Sequence, residues 1–259
     1  PVDAQTVISE VYKKTPTRDL AIKIYSPEDL KNGEKRPAIV FFFGGGWNSR
    51  YIEQFERHAK LLSKKGMVCC IADYRVKKTD NVIPKVCLSD AKSAMRYIYS
   101  NADRLNIDET KIAASGGSAG GHLAAATCYC QGFDDLEDDT TVSCRPSALV
   151  LFNPVVDNSE KGYGYERIKS YFPDFSPSHN IKDPVPTIFF VGSEDTFIPP
   201  VLAKKFQKNC QDKGGRCDLH VFEGRKHGFF NNDDDYKQTM ELTLDFLLSI
   251  GYILSLIHI

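Results

Sequence analysis

Gly116-Gly117-Ser118-Ala119-Gly120 is the stretch whose reading decides the fold. It has the form G-x-S-x-G. Before it runs Lys111-Ile112-Ala113-Ala114-Ser115, apolar and strand-like, and after it comes Gly121-His122-Leu123-Ala124-Ala125-Ala126, small and helix-forming. Strand, tight turn and helix in that order are the setting of a nucleophile elbow. The turn is sharp, so the positions flanking the serine must be small. It lifts the Ser118 hydroxyl out of the sheet and points the N-terminus of the next helix, with its partial positive charge, at the same place. The pentapeptide alone would also suit a glycine-rich turn packing a helix onto a sheet; the flanking segments favour the elbow.

Upstream, Ala38-Ile39-Val40-Phe41-Phe42-Phe43 is a continuous apolar run, the pattern of a strand covered on both faces. It ends in Gly44-Gly45-Gly46-Trp47-Asn48. Glycines after a buried strand let backbone N–H groups face a cavity with no Cβ in the way, which is what an oxyanion requires. The amides of Gly45, Gly46 and Ala119 are the candidate donors. Trp47 and Asn48 are candidate substrate-binding residues, with Trp47 either flooring the pocket or packing beneath the loop. Downstream, Ala148–Phe152 and Thr187–Gly192 read as buried strands, and Ser193-Glu194-Asp195-Thr196-Phe197-Ile198-Pro199 follows the second. Asp218–Phe222 reads as the last strand and leads into Glu223-Gly224-Arg225-Lys226-His227-Gly228. His227 is the candidate base. Asp195 is the favoured acid, ahead of Glu194 and Asp157, because Asp-x-x-Ile-Pro leads into a helix. His122, on the helix beyond the serine, reads as structural.

The remaining segments fill an alternating pattern. Residues 5–13 and 18–26 alternate apolar and polar and predict two antiparallel edge strands, closed by turn chemistry at Ser26-Pro27 and Asn32-Gly33. Helical spacing covers residues 54–65, 84–100, 199–213 and about 235–250, and Met67–Ala72 is a buried strand. Arg75 either reaches the active-site face or makes a structural ion pair; the second reading is preferred. Residues 157–183, polar and aromatic, should lie over the C-terminal edge of the sheet. Strands alternating with helices predict one mostly parallel sheet of about eight strands, helices on both faces and little or no cap. Residues 1–251 form one domain, and the apolar tail 252–259 reads as a cloning remnant.

With 259 residues and 42% apolar content the chain can bury a large core, and a net charge of −1 gives no electrostatic case for nucleic acid or an anionic membrane. No stretch approaches the length of a membrane span. The chain begins at Pro1, so an export leader already removed would place it outside the cell or in the periplasm, and otherwise it is expected in the cytoplasm. The eight cysteines include no C-x-x-C pair, which leaves zinc and dithiol redox sites without support. Cys69 and Cys70 read as core thiols. Pairing among Cys128, Cys130 and Cys144, or of Cys210 with Cys217, stays open. The acidic run Asp134–Asp139 reads as a solvated loop and lacks calcium-ligand spacing.

Ser118, Asp195 and His227 each follow a strand and fall in the order of the α/β-hydrolase arrangement. The chain resembles the α/β-hydrolase esterases, and more narrowly the acetylxylan and feruloyl carbohydrate esterases. The resemblance rests on Phe41 to Asn48, Ala72-Asp73-Tyr74-Arg75-Val76, Gly116 to Leu123, Asn153-Pro154, Asp195 to Pro199 and His227-Gly228-Phe229-Phe230, and it covers nearly the whole chain. Hormone-sensitive-lipase-type esterases are related but carry His-Gly-Gly-Gly, where this chain has Phe43, and an N-terminal cap. The resemblance implies hydrolysis of acyl esters of plant cell-wall polysaccharide, acylated xylan or its oligosaccharides, through an acyl-enzyme and without metal or cofactor. The rival readings are a carboxylesterase of small esters, a prolyl-oligopeptidase-type peptidase and an inactive interaction module.

Overall fold

The computed structural model describes residues 6–31 and 33–253. Gln5 at the start of the first expected strand, Asn32 of the Asn32-Gly33 turn and the tail from Leu254 to Ile259 lie outside the described residues. Among the described residues the strands are β1 Val7–Lys14, β2 Asp19–Tyr25, β3 Arg36–Phe42, β4 Val68–Ala72, β5 Ile107–Gly117, β6 Ala148–Phe152, β7 Thr187–Gly192 and β8 Cys217–Phe222. They form one eight-stranded sheet in the order β1-β2-β4-β3-β5-β6-β7-β8. β1 and β2 pair antiparallel, as do β2 and β4; every other pairing is parallel. The mostly parallel eight-stranded sheet expected from the alternation is therefore what forms.

The helices are α1 Glu56–Lys64, α2 Lys77–Asp80, α3 Pro84–Ser100, α4 Ala119–Tyr129, α5 Tyr165–Ile168, α6 Pro177–Asn180, α7 Pro200–Gln211 and α8 Asp233–Ser249. The period-two rule of a strand sorts the core into two. Ala38, Val40 and Phe42 of β3 face a cluster with Ala91, Met95, Leu123 and Phe206 from α3, α4 and α7. Ile39 and Phe41 face the opposite cluster, with Ala59 and Leu62 of α1 and Met240 and Leu247 of α8. Both faces are covered, so the central strands read as unbroken apolar runs. α4 packs closely on β3. An added Cβ on Gly120 would lie 2.1 Å from the Phe42 carbonyl oxygen, which belongs to backbone and has nowhere to go.

Two expectations need adjusting, and one open question closes. The tail does not begin at residue 252: Tyr252 and Ile253 are buried in the α1/α8 cluster, and the Tyr252 hydroxyl lies 2.5 Å from Ser147 Oγ. The domain runs through Ile253. The acidic run is not simply solvated: Asp134 and Asp138 pair with Arg96 at 2.6 and 2.9 Å, and Asp135 pairs with Lys13 at 2.6 Å, so the loop is stapled to α3 and β1. These partners sit far away in sequence, where a charge run gives no sign of them. All eight cysteines are free thiols. Cys69 and Cys70 are core thiols as expected, each fully buried. Arg75 makes the structural ion pair, with Nη2 2.7 Å from Asp90 Oδ1.

Two buried histidines link this packing to acid stability. His58 sits among Phe55, Phe152 and Tyr236, with ring centroids 4.9, 5.3 and 4.8 Å away, and neither of its nitrogens has a partner among the described residues. Burial, with a smaller contribution from Arg57, pushes its pKa down to about 3. His122 is likewise pushed down to about 3 by burial, against a hydrogen bond to the Phe175 carbonyl that acts the other way. An unfolded histidine titrates near 6.5. The unfolded chain therefore binds these protons first. The stability contributed by the neutral rings is full above about pH 6.5 and is lost as pH falls toward 3.

Between pH 7.5 and pH 5 each ring is expected to cost about 2 kcal/mol of stability. Urea melts of His58→Phe should lose less stability over that interval than the parent; equal losses would show that His58 does not titrate on unfolding. Gly120→Ala is expected to destabilise by about 3 kcal/mol, because the overlap is with main chain. A urea midpoint unchanged from the parent would contradict that close approach.

Candidate active site

Ser118 occupies the turn between β5 and α4 with φ 54° and ψ −119°, a conformation that costs a non-glycine residue on the order of 1–3 kcal/mol. The surroundings impose it. The Ser118 N–H donates to the Phe152 carbonyl at 3.0 Å, and the Ser118 carbonyl accepts from His122 and Val155, each at 3.0 Å. The flanking glycines allow the turn to close: a Cβ on Gly116 would meet the Gly120 backbone at 2.4 Å. The N-terminus of α4 lies at the serine, with its dipole favouring negative charge there.

The loops after β7 and β8 bring the other two residues to it. His227 Nε2 lies 2.8 Å from Ser118 Oγ, and His227 Nδ1 lies 2.7 Å from Asp195 Oδ2. Asp195 is buried, and its other oxygen accepts the amides of Phe197 and Ile198 at 2.9 and 2.8 Å. The carboxylate is thus held at both ends. The two loops are tied to each other, since the Glu194 amide donates to the Arg225 carbonyl at 2.9 Å. A third tie comes from Asn153 after β6, whose Oδ1 accepts the Gly228 amide at 2.9 Å. The rival acids are elsewhere. The Glu194 side chain is exposed, and Asp157 accepts from Lys205 Nζ at 3.2 Å and from the Ser159 amide at 2.9 Å. His122 is buried with Nε2 2.8 Å from the Phe175 carbonyl oxygen, in the structural position expected of it.

The glycine loop runs beside the serine. Gly45 and Gly46 have φ of +127° and +63°, conformations that a side chain would resist. The Gly44 amide is already spent on Gln54 Oε1 at 2.7 Å. The amides of Gly45, Gly46 and Ala119 donate to no group among the described residues. Ser118, His227, Gly44, Gly45 and Gly46 line a cavity of about 240 Å³, with Tyr51, Gln54, Asn153, Tyr163, Phe197, Gly228 and Phe230 completing its walls. A larger cavity of about 760 Å³, which Arg75 lines, contains none of the Ser118, His227 and Asp195 side chains.

Trp47 and Asn48 do not line the site cavity. The backbone turns at Trp47 with φ 57°, which tucks the indole beneath the loop against His122 at 5.0 Å, and Trp47 is 1% exposed. Asn48 is taken up in the turn, its amide donating to the Gly45 carbonyl and its carbonyl accepting from Lys78, both at 3.0 Å. Gln54, Tyr51, Tyr163 and Phe197 received no site role from the sequence. Tyr163 and Phe197 lay in segments already expected at this face; Gln54 carried no local signal, because its role is a contact with a loop ten residues away. The assembled parts are those of nucleophilic acyl transfer: a hydroxyl, a base upon it, an acid fixing the tautomer of the base, and uncommitted backbone donors beside them.

Comparison with known proteins places this geometry in a family. The BD-FAE family model matches residues 22–161, more than half of the chain, and the prolyl oligopeptidase family model matches residues 150–250. A solved structure of Thermogutta terrifontis esterase 2, phosphoramylated by tabun, superposes with a TM-score of 0.92 at 41% identity and covers 96% of each chain. The same esterase has been solved with propionate and with butyrate bound. Isoprenylcysteine alpha-carbonyl methylesterase ICME of Arabidopsis thaliana is 27% identical over 85% of this chain and 56% of its own length. An acetylxylan esterase of Xylanibacter ruminicola is 24% identical over 74% of this chain and 41% of its own. The chain thus spans only about half the length of these curated relatives. With a family model over most of the sheet and near-complete overlap with a solved esterase, the chain belongs to the BD-FAE family of α/β-hydrolases.

Proposed function

We propose that Ser118 is the nucleophile, His227 the general base and Asp195 the residue that holds it. A serine hydroxyl is a poor nucleophile at neutral pH and needs its proton removed as it attacks. His227 Nε2 takes that proton while Ser118 Oγ bonds to the ester carbonyl carbon. The carbonyl oxygen becomes an oxyanion held by the amides of Gly45, Gly46 and Ala119. His227 then protonates the departing alkoxide and leaves an acyl-serine. Water attacks the acyl-serine by the same route in reverse roles, releasing the acid and restoring Ser118. Asp195 accepts from Nδ1 throughout and supports the imidazolium. The observation carrying this reading is the continuous relay of 2.8 and 2.7 Å from Ser118 through His227 to Asp195, beside amides with no other partner.

The cavity supports a reading of the substrate. At about 240 Å³ it falls below the roughly 300–1,000 Å³ of sites for drug-sized ligands, which favours short acyl groups. Tyr51 and Phe197 line it and are 56% and 54% exposed, so the cavity opens to solvent on their side, where the alcohol part of an ester would lie. We therefore read the substrates as short acyl esters of plant cell-wall polysaccharide, acetylated xylan above all, with feruloyl esters less favoured by the cavity. The acetylxylan esterase relative supports this. A second reading, a carboxylesterase of small soluble esters, is favoured by the 40% identity to Thermogutta esterase 2 in its propionate-bound form. Neither reading calls on a metal or cofactor.

Ser118→Ala and His227→Ala should each lose more than about 10³-fold in kcat against p-nitrophenyl acetate, with melting temperatures near the parent's. Full activity in purified Ser118→Ala would refute the nucleophile. Asp195→Asn should be comparably severe, and a larger loss in Asp157→Asn would move the acid there. Acetylated, feruloylated xylan should yield acetate well in excess of ferulate over the Ser118→Ala blank. If p-nitrophenyl acetate is cleaved while xylan yields neither acid, the small-ester reading stands in its place.

A further inference from the structure

Between β6 and β7 the chain forms a strap over the site, and one phenol on it has no partner. The Tyr163 hydroxyl makes no hydrogen bond to any described residue, although Tyr163 is half-buried and lines the site cavity. The hydroxyl is accessible from the cavity and so is free to meet a ligand there. This one closes on the glycine loop, since a Cβ added to Gly46 would sit 2.7 Å from the Tyr163 Oη. The ring is fixed on several sides. Phe197 packs edge-on at 5.8 Å and itself meets the His227 ring at 5.2 Å, and Trp47 lies 5.8 Å away beneath. The backbone is held by Asn158 Nδ2 donating to the Tyr163 carbonyl at 3.0 Å and by the Tyr163 amide donating to the Asp157 carbonyl at 3.2 Å.

Arg167 joins this residue to the loop beneath it. Its Nη1 donates to the Gly46 carbonyl at 2.7 Å, and its guanidinium lies 5.3 Å from the Tyr163 ring and 5.1 Å from that of Trp47. One cation therefore fixes the peptide after Gly46 and sits over the phenol. A cation over the ring is attracted by its face and helps to hold the phenol in place.

We propose that Tyr163 is a catalytic residue whose hydroxyl, held against the glycine loop, donates a hydrogen bond to the oxyanion of the reacting ester alongside the amides of Gly45, Gly46 and Ala119. This rests on the acyl-transfer reading of the site. The ester oxygen moves toward the glycine loop as the carbonyl carbon becomes tetrahedral, so the bond is strongest in the transition state. Loss of such a donor lowers kcat more than it raises KM.

The test is Tyr163→Phe, which removes only a hydroxyl that no protein group uses. Active serine is first counted by titration with paraoxon, one p-nitrophenol released per chain, with Ser118→Ala as the blank. Steady-state kinetics with p-nitrophenyl acetate follow. Removal of a principal oxyanion donor lowers kcat by about 10²–10³-fold. Three amides remain here, so a fall of about 10-fold in kcat is expected, with KM within about twofold, full titration and an unchanged melting temperature. A fully titrating Tyr163→Phe whose kcat stays within twofold of the parent overturns the proposal, whatever happens to KM. Failure of the underlying reading would look different: the parent itself would release no p-nitrophenol, or Ser118→Ala would release as much.

Discussion

Main chain against main chain is the contact on which this site depends. The Cα of Gly120 lies under the Phe42 carbonyl, and that of Gly116 lies against Gly120. A side chain in the way can rotate, but two backbones cannot. With α4 drawn that close to β3 and β5, the intervening turn must be sharp, and Ser118 takes the positive φ that sharpness demands. The same approach brings the end of β3 beside the serine: a Cβ on Gly44 would lie 3.0 Å from the Gly117 carbonyl and 3.5 Å from Ser118 Cβ. One steric constraint thus sets both the nucleophile and the loop of amides next to it.

Strain gathers at the same edge of the sheet. Gly45, Gly46, Trp47, Ser118 and Asn153 all have positive φ, and three of them carry side chains. Each such non-glycine position costs on the order of 1–3 kcal/mol, a sum that only a well-filled interior can sustain. The two apolar layers provide it, one under α3, α4 and α7 and the other under α1 and α8. Asn153 also repays its conformation locally, since the turned backbone lets its side chain reach the Gly228 amide.

Much of this was legible in the sequence, for a definable reason. β6 and β7 fall where their apolar runs do, and α3 starts at Pro84 and ends at Ser100, because strand and helix periodicities are local properties. The approach of Ser118, Asp195 and His227 was implied once each was assigned to a strand end, since parallel strands deliver all their C-terminal loops to one edge. What could not be read depends on contacts distant in sequence or on the sign of one dihedral. Trp47 leaves the cavity because φ at that residue is 57°. Gln54 joins the site only by meeting Gly44. The acidic loop is docked because Arg96 and Lys13 face it across the fold.

The strap between β6 and β7 divides labour within the molecule. It leaves one strand and enters the next, and Ser118, Asp195 and His227 all lie outside it. Acid and base sit instead on two loops laced together by the Glu194–Arg225 backbone bond. The strap meets the relay and the glycine loop at a few positions, among them Asn153, Tyr163 and Arg167, and elsewhere its side chains make no hydrogen bond to those of Ser118, His227 and Asp195 among the described residues. In a fold built this way, the range of esters accepted and the chemistry applied to them can vary apart only where the strap leaves those few joints untouched.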